Sequence, residues 1–420
     1  MKKFFRNIVA SILGWQVRRL QKKNKFKVVA VAGSVGKTST KLAIAQVLSQ
    51  FFPVRYQKGN YNDLVSVPLI FFGHKIPRLF NPFAWLIIFL KNEGTLLGKY
   101  PYEVVIVELG TDKPGDMAGF KRYLRADLGV LTGITPEHMQ FFEGLDSVAK
   151  EELVLTELSN ELMINKDLVG PKYLKEPVLS YGTSTGATYR LGGLSFSDDF
   201  ADFSVTKNGS VLLKASHEAI SEPQLLSICA AVAVSDQFGM DPEDIEKGIR
   251  NIRSVSSRMR RLEGLNGSTI IDDSYNASPE AMKAALDTLY RIKAPQKIAV
   301  LGNMNELGRY SQGLHEEIGN YCNPKELNLV ATIGPDANEY LAAKAEYKGC
   351  KVEKFDDPAA AGEYLKGLIK KNGLILVKGS QNRVFSEETA KRLLANPADS
   401  RKLVRQSKNW MKIKRKAFGW

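Results

Sequence analysis

Cysteine is scarce in these 420 residues: Cys229, Cys322 and Cys350 stand far apart and form no C-x-x-C pair. That argues against a disulfide framework or a zinc ribbon and for a reducing, cytoplasmic compartment. Histidine is also sparse, four in all, so a histidine beside a motif is worth reading by itself. No apolar run is long enough for a bilayer span: the unbroken stretch from Phe83 to Leu90 is eight residues, against the ~20 a spanning helix needs. Acidic residues are missing from both ends. Residues 1–27 carry nine Lys/Arg and residues 400–420 carry eight, without one Asp or Glu in either. Removing those 17 positive charges from the net +14 leaves residues 28–399 at about −3. The body is therefore no nucleic-acid-binding surface by charge, and no stacking-aromatic groove accompanies the basic ends.

What is present is an ordinary globular composition, 44% hydrophobic and 25% charged, on a chain long enough for two or three domains. The stretch that organises it is KVVAVAGSVGKTSTKLAIAQVL, residues 27–48. Val28 to Ala32 reads as a buried strand, Gly33-Ser34-Val35-Gly36-Lys37-Thr38 as a tight glycine turn, and Ser39 to Leu48 as a helix. A strand, a glycine loop and a helix N-terminus aim backbone N–H groups and a dipole end at one point, where phosphate can sit. Lys37 would serve the β/γ-phosphates and Thr38 would hold Mg²⁺. The spacing is the short G-x-x-G-K-T, because Val31 stands where the commoner loop has its first glycine.

The N-terminal segment mixes Phe4, Phe5, Ile8, Val9, Ile12, Leu13, Trp15, Val17 and Leu20 with basic residues. A signal peptide lacks its uninterrupted apolar region here, and Arg6, Arg18 and Arg19 break a transmembrane helix. Two readings stand: an amphipathic helix lying on an anionic membrane, or a helix packed on its own domain. The GNYND loop with Asn60 and Asn62 would lie near the phosphates if the chain returns as a parallel unit. The run Phe83–Leu90 is expected as a buried core helix, the alternative being a patch that dips into the membrane interface.

Tyr102–Leu109 is a second buried strand, and Glu108 at its C-terminal end is placed to bind Mg²⁺. A third strand, Leu128–Gly133, leads to His138, a candidate metal ligand. A short strand covers Leu162–Lys166, residues 178–216 alternate as antiparallel strands, and helices cover Glu222–Phe238 and 242–252. A polar run ending at Arg258 reads as a hinge. A second α/β unit follows, with strands at Ser268–Ile271, Lys297–Leu301, Leu329–Ile333, Val352–Phe355 and Leu374–Val377. The tail from Ser400, with Trp410, Ile413, Phe418 and Trp420 among bases, reads as a membrane-interface segment or a disordered solubilising tail.

The motifs AGSVGKTST, GNYND with VP, VELGTDKPGDM, TPEHMQFF, SSRMRRLEG, IIDDSYNASPEAMKAAL, LGNMNELG and LVKGS, over about residues 27–395, resemble those of the Mur ligases. These are ATP-dependent amide-bond ligases of bacterial cell-wall synthesis. The resemblance implies an α/β fold: a P-loop-type central ATPase domain with a mostly parallel sheet, residues 27–258, and a Rossmann-like C-terminal domain, residues 259–399. A basic amphipathic segment, 1–26, and a basic tail, 400–420, would flank them. It implies ATP and Mg²⁺ as cofactors, with Gly33, Ser34, Gly36, Lys37, Thr38 and Ser39 at the phosphates and Thr38, Glu108 and His138 at metal. Arg258 would reach the γ-phosphate, and Asp272, Asp273, Tyr275 and Asn276 would meet the nucleotide. Asn60, Asn62, Lys378 and Ser380 would serve substrate, and Lys37, His138, Arg258 and Glu152 would carry catalysis. The implied reaction runs through an acyl phosphate and adds D-Ala-D-Ala to a muramyl peptide, with domain closure on substrate.

Three departures from the pattern bear on this. The family's UDP-gripping N-terminal domain is expected to be missing, with basic, membrane-seeking ends bringing the enzyme to a lipid-linked or otherwise anchored substrate at the inner face of the membrane. Ungapped counting from His138 puts Glu152 where the family carries a carbamylated lysine, with Lys150 two residues earlier as the alternative. Asn303 replaces a usual aspartate and is given no role. Rival functions are a ligase for another amine and a membrane-associated ATP-binding scaffold.

Overall fold

The computed structural model describes residues 2–174, 178–197 and 200–420. Asp198 and Asp199, inside the stretch expected as antiparallel strands, lie outside the described residues. The chain divides into two compact units. One comprises residues up to 135 with 142–219 and 223–252, the other residues 136–141, 220–222 and 253–420.

The first unit opens with helix α1 (Lys2–Lys23), strand β1 (Lys27–Ala32) and helix α2 (Lys37–Leu48). Then come β2 (Val54–Arg55), α3 (Ser66–Phe72), α4 (Pro82–Leu97) and β3 (Val104–Glu108). Short helices α5 (Asp116–Phe120), α6 (Leu145–Glu152) and α7 (Val154–Leu158) surround β4 (Ala126–Leu131) and precede β5 (Ser159–Asn165). Strands β6 (Leu179–Gly182), β7 (Tyr189–Phe196), β8 (Ala201–Lys207) and β9 (Ser210–His217) follow, then helices α8 (Glu222–Gln237) and α9 (Pro242–Arg250).

These strands form one sheet in the order β2-β3-β1-β4-β5-β6-β7-β8-β9, parallel as far as β7 and antiparallel from β7 to β9. Strands β1, β3 and β4 are apolar apart from Lys27, Glu108 and Asp127, because a parallel sheet covered on both faces buries nearly every side chain. Strand β6 is thus parallel to its neighbours, whereas alternation suggested antiparallel pairing throughout 178–216. Period-2 alternation reports a half-buried strand, not the direction of its partner.

Two sequence expectations are corrected. The apolar run of α4 is not a core helix: Trp85 and Ile88 are buried, but Phe83 is 77% and Leu90 62% exposed, with Leu86 and Ile87 exposed beside them. The inner face alone suffices to pack on α1 and α3, through Val9, Leu13, Leu69, Trp85 and Ile88. The C-terminal tail is not a free segment either. It forms helix α15 (Lys408–Phe418), whose Trp410 and Phe418 rings both meet Phe385 edge-on at 6.2 Å while Trp420 stacks on Phe418. Aromatics expected at a membrane are thus engaged in packing.

The second unit contains β10 (Arg260–Glu263), β11 (Thr269–Asp273), α10 (Pro279–Arg291), β12 (Lys297–Gly302) and α11 (Ser311–Tyr321). Next are β13 (Leu329–Ile333), α12 (Ala342–Tyr347), β14 (Val352–Phe355), α13 (Pro358–Lys366), β15 (Leu374–Lys378) and α14 (Glu387–Leu393). Its sheet runs β10-β11-β15-β12-β13-β14, parallel except for the antiparallel edge strand β10. The C-terminal ends of β11, β15 and β12 are adjacent, where such sheets place ligands.

Candidate functional site

Strand β1 lies between β3 and β4, so the chain leaves it first toward one edge of the sheet and later toward the other. The crevice at such a switch point lies beyond the strand's C-terminal end, and Gly33–Gly36 fills it here. Gly33 (φ 125°) and Gly36 (φ 78°) take up backbone angles that side chains disfavour. A Cβ on Gly33 would also meet Thr132 Oγ1 at 2.5 Å. Neighbouring strands pin the loop: Ser34 N donates to Gly133 O at 2.9 Å, Thr135 N to Ser34 Oγ at 3.1 Å, and Thr132 Oγ1 to Val35 O at 2.5 Å. Lys37 opens α2 and its ammonium curls onto the loop, donating to the carbonyls of Gly33 and Ser34.

Register brings Glu108 beside this loop, because β3 pairs with β1 so that Glu108 aligns with Val31. Thr38 Oγ1 donates to Glu108 Oε1 at 3.1 Å, and Lys41 Nζ lies 2.9 Å from Glu108 Oε2. Lys41 and Glu108 are both buried. In such a pair the attraction between the two ions offsets part of the cost of taking both out of water. Lys41 was missed from sequence, where a lysine on an early helical turn looks like any solvated one. A hydroxyl and a carboxylate side by side are the hard oxygen ligands Mg²⁺ prefers, so Thr38 and Glu108 fit that ion. Among the described residues, no group of three or more His, Cys, Asp or Glu forms a ready-made metal cluster.

Asn62 O accepts from Gly110 N at 2.8 Å, two residues past Glu108, while Asn60 is exposed. The following loop is held by Glu151, which accepts from Met117 N at 2.6 Å and Gly115 N at 2.8 Å. On the same helix Glu152 is buried and Lys150 exposed.

His138 falls in the second unit. It takes a left-handed backbone (φ 54°), and its Nδ1 lies 2.6 Å from Glu306 Oε2. The hydrogen bond from His138 holds the Glu306 carboxyl below the usual carboxylate range. Gln140 N also donates to Glu306 O at 2.9 Å. A small cavity nearby is lined by Glu137, Asn276, Ser278, Asn305, Glu306 and Asn382. Glu306, in the ELG stretch, had no role in the sequence reading.

The DDSYN loop follows β11. Asp272 is fully buried, and burial pushes its carboxyl up to about 6, against hydrogen bonds from Ser257 and Ser274, each 2.5 Å. Asp273 accepts from Met259 N at 3.1 Å and pairs with Lys378 Nζ at 2.5 Å. Lys378 also donates to Asn276 O at 3.0 Å, and Ser380 Oγ to Ala277 O at 3.2 Å. Both residues are buried. Lys378 and Ser380, expected at substrate, thus support the loop from beneath. Asn303 accepts from Ala337 N at 2.8 Å, a structural use that needs no charge. The Arg258 guanidinium lies over the Tyr275 ring at 4.2 Å.

Arg405 was missed because it sits in the basic tail. Its guanidinium forks onto Glu387 (2.9 and 2.8 Å) and donates to the carbonyls of Tyr275, at 3.0 Å, and Ser274. Lys414, fully buried, bridges Glu387 at 2.7 Å and Glu388 at 2.8 Å. Burial acts to raise the Glu388 carboxyl, but the Lys414 hydrogen bond and charge prevail and hold it low. The tail helix is therefore locked to α14, and Arg405 to the DDSYN loop.

Residues 94–235 match the Mur ligase middle domain, and residues 257–381 match the Mur ligase glutamate ligase domain. The chain is 27% identical to the UDP-N-acetylmuramoyl-tripeptide–D-alanyl-D-alanine ligase of Bacillus subtilis, over 88% of this chain and 76% of that one. Among solved structures it is similar to the MurF ligase of Thermotoga maritima in complex with ADP (TM-score 0.73, 26% identity, 91% of this chain and 84% of that one). It also shares the fold of MurF from Acinetobacter baumannii (TM-score 0.76, 20% identity, 92% and 80%).

Proposed function

Since this chain belongs to the Mur ligase family, we propose that it is the ligase that joins D-Ala-D-Ala to a UDP-linked muramyl tripeptide in the cytoplasm, at the expense of ATP. The observation that carries the reading is the loop after β1, with Lys37 over it and the Thr38–Glu108 pair beside it, in a chain similar to D-Ala-D-Ala-adding relatives over most of its length.

The reaction has two steps. An oxygen of the tripeptide's terminal carboxylate attacks the γ-phosphorus of ATP, and ADP leaves, giving an acyl phosphate. The dipeptide's amine nitrogen then attacks the acyl carbon, inorganic phosphate leaves, and the nitrogen gives up a proton as the amide forms. Most of the acceleration comes from holding the reactants in line and neutralising charge. Backbone N–H groups of residues 35–38 at the α2 N-terminus hold the phosphates, and Lys37 exchanges its loop carbonyls for phosphate oxygens. Thr38 and Glu108 would hold Mg²⁺, which would supply charge neutralisation at the phosphates. His138, its Nδ1 engaged by Glu306, would keep its other ring nitrogen available as a metal ligand, an arrangement that suits a ligating imidazole.

Burial supports Glu152, in preference to Lys150, as the carboxylate standing in for the carbamylated lysine. Arg258 serves the γ-phosphate, and Tyr275 and Asn276 serve the nucleotide. Asn60 and Asn62 are assigned to the muramyl peptide, and Lys378 and Ser380 position the DDSYN loop. A Lys37→Ala protein tested for D-Ala-D-Ala-dependent ADP release should lose at least about a hundredfold in kcat, the scale of removing a central charge-stabilising group. Normal turnover in that variant refutes the phosphate-binding assignment. Release of ADP from wild type with another amine but not with D-Ala-D-Ala refutes the acceptor.

A further inference from the structure

We propose that the outward faces of α1 and α4 form a docking surface for an anionic lipid bilayer, holding the protein on the membrane without crossing it. Four contacts show that the two helices lie side by side and run parallel. Phe5 stacks on Phe80, Gln16 bonds to Phe89 O and Asn92, Arg19 pairs with Glu93, and Lys23 reaches the carbonyls of Leu96 and Leu97. These contacts use one side of each helix. The other side of α4 exposes Phe83, Leu86, Ile87, Leu90 and Leu97, at i, i+3, i+4, i+7 and i+14. The other side of α1 exposes Phe4, Ile8 and Trp15, at i, i+4 and i+11. Phe80 and Ile76, just before α4, are exposed as well. Each helix is thus apolar on two faces, and only one is needed for its own packing. An apolar surface of this kind on a polar-bodied protein marks an interaction site.

Charge identifies the occupant. The exposed bases Arg18, Lys22, Lys75, Arg78, Lys91 and Lys99 belong to these two segments. The one acid of 2–27 and 74–100 is Glu93, already taken by Arg19. Apolar side chains with a basic rim match the headgroup and acyl boundary of an anionic leaflet, and the Arg19 guanidinium 4.3 Å above the Trp15 ring suits that boundary. A two-fold contact with a second copy would instead set the basic rim against itself. Among the described residues no helix is long and apolar enough to cross a membrane, so α1 and α4 would lie along the surface.

The test is co-sedimentation of the full chain with phosphatidylglycerol/phosphatidylcholine vesicles and with pure phosphatidylcholine vesicles, alongside sedimentation velocity without lipid. A second protein carries Leu86→Glu, Ile87→Glu and Leu90→Glu, all at exposed positions and therefore compatible with folding. The expectation is binding to the anionic vesicles that falls at least about tenfold on neutral vesicles or in the triple variant. The variant should melt as wild type does and keep its ligase rate on soluble substrate, so that loss of docking is separate from loss of chemistry. The proposal is overturned if wild type ignores anionic vesicles, if the variant binds them equally, or if wild type is a dimer that the substitutions split and no vesicle binding is seen.

Discussion

Replacing Arg405 with Met tests how the tail serves the DDSYN loop. The Arg405–Glu387 pair is almost fully buried, and the change does not touch Lys414, whose ammonium lies 2.7 Å from Glu387, so the carboxylate keeps one cation. Stranding a buried ion entirely costs about 3–5 kcal/mol, and the surviving lysine puts this case near the lower end, about 3 kcal/mol. For a unit of this size that is a drop of roughly 6–12 °C in the melting temperature of the second unit's transition. Two further bonds are lost, to Ser274 O and Tyr275 O, which hold the chain around Tyr275 and Asn276. Each charge-assisted hydrogen bond is worth about 1.5 kcal/mol or more, so the KM for ATP should rise about tenfold or beyond. Arg405→Lys keeps the charge but not the fork, and should fall between the two proteins in both readouts. Calorimetry and ADP-release kinetics measure them. An Arg405→Met protein melting within about 2 °C of wild type, with unchanged KM for ATP, refutes the reasoning.

Three shorter predictions follow from the same geometry. The Asp272 carboxyl is raised in the fold to about 6 from 3.8, so the folded state binds the extra proton and its stabilising effect is present at low pH. It is lost as pH climbs through about 6, so wild type should lose about 2 kcal/mol relative to Asp272→Asn between pH 4 and 6.5; a flat difference in denaturation midpoint would falsify this. Lys41→Met leaves the buried Glu108 carboxylate without its cation and should lower the first unit's melting by roughly 6–20 °C, measured by calorimetry; no shift means the pair carries no weight. Lys150→Ala should keep full activity with no rescue by bicarbonate, whereas Glu152→Gln should weaken Mg²⁺-dependent turnover by about 10–100-fold. The opposite pattern assigns the modified lysine to Lys150.

Much of the architecture was legible along the chain because parallel sheets buried on both faces write themselves as apolar runs. Strands β1, β3, β13 and β15 each fall within a residue or two of the positions read from sequence. Strand β10, with the sequence RRLE, was not legible, since an edge strand needs only one apolar residue facing inward. The glycine loop, Glu108, His138 and the DDSYN stretch could be named because their chemistry is local. Their partners could not: Lys41, Glu306, Glu387 and Arg405 matter through contacts spanning 67, 168, 18 and 130 positions or so, and no local pattern distinguishes them from solvated charges.

By itself the amino-acid order determined a strand, a glycine turn and a helix N-terminus ready for phosphate, since hydrophobic period and positive-φ glycines act within a few residues. Tertiary structure alone decided which face of α4 would be buried, that the basic tail would fold onto α14, and that Lys378 would support a loop. The reason is physical. A long apolar or charged side chain is compatible with water, a lipid surface or a partner ion, and its choice among them depends on neighbours that the fold supplies from elsewhere in the chain.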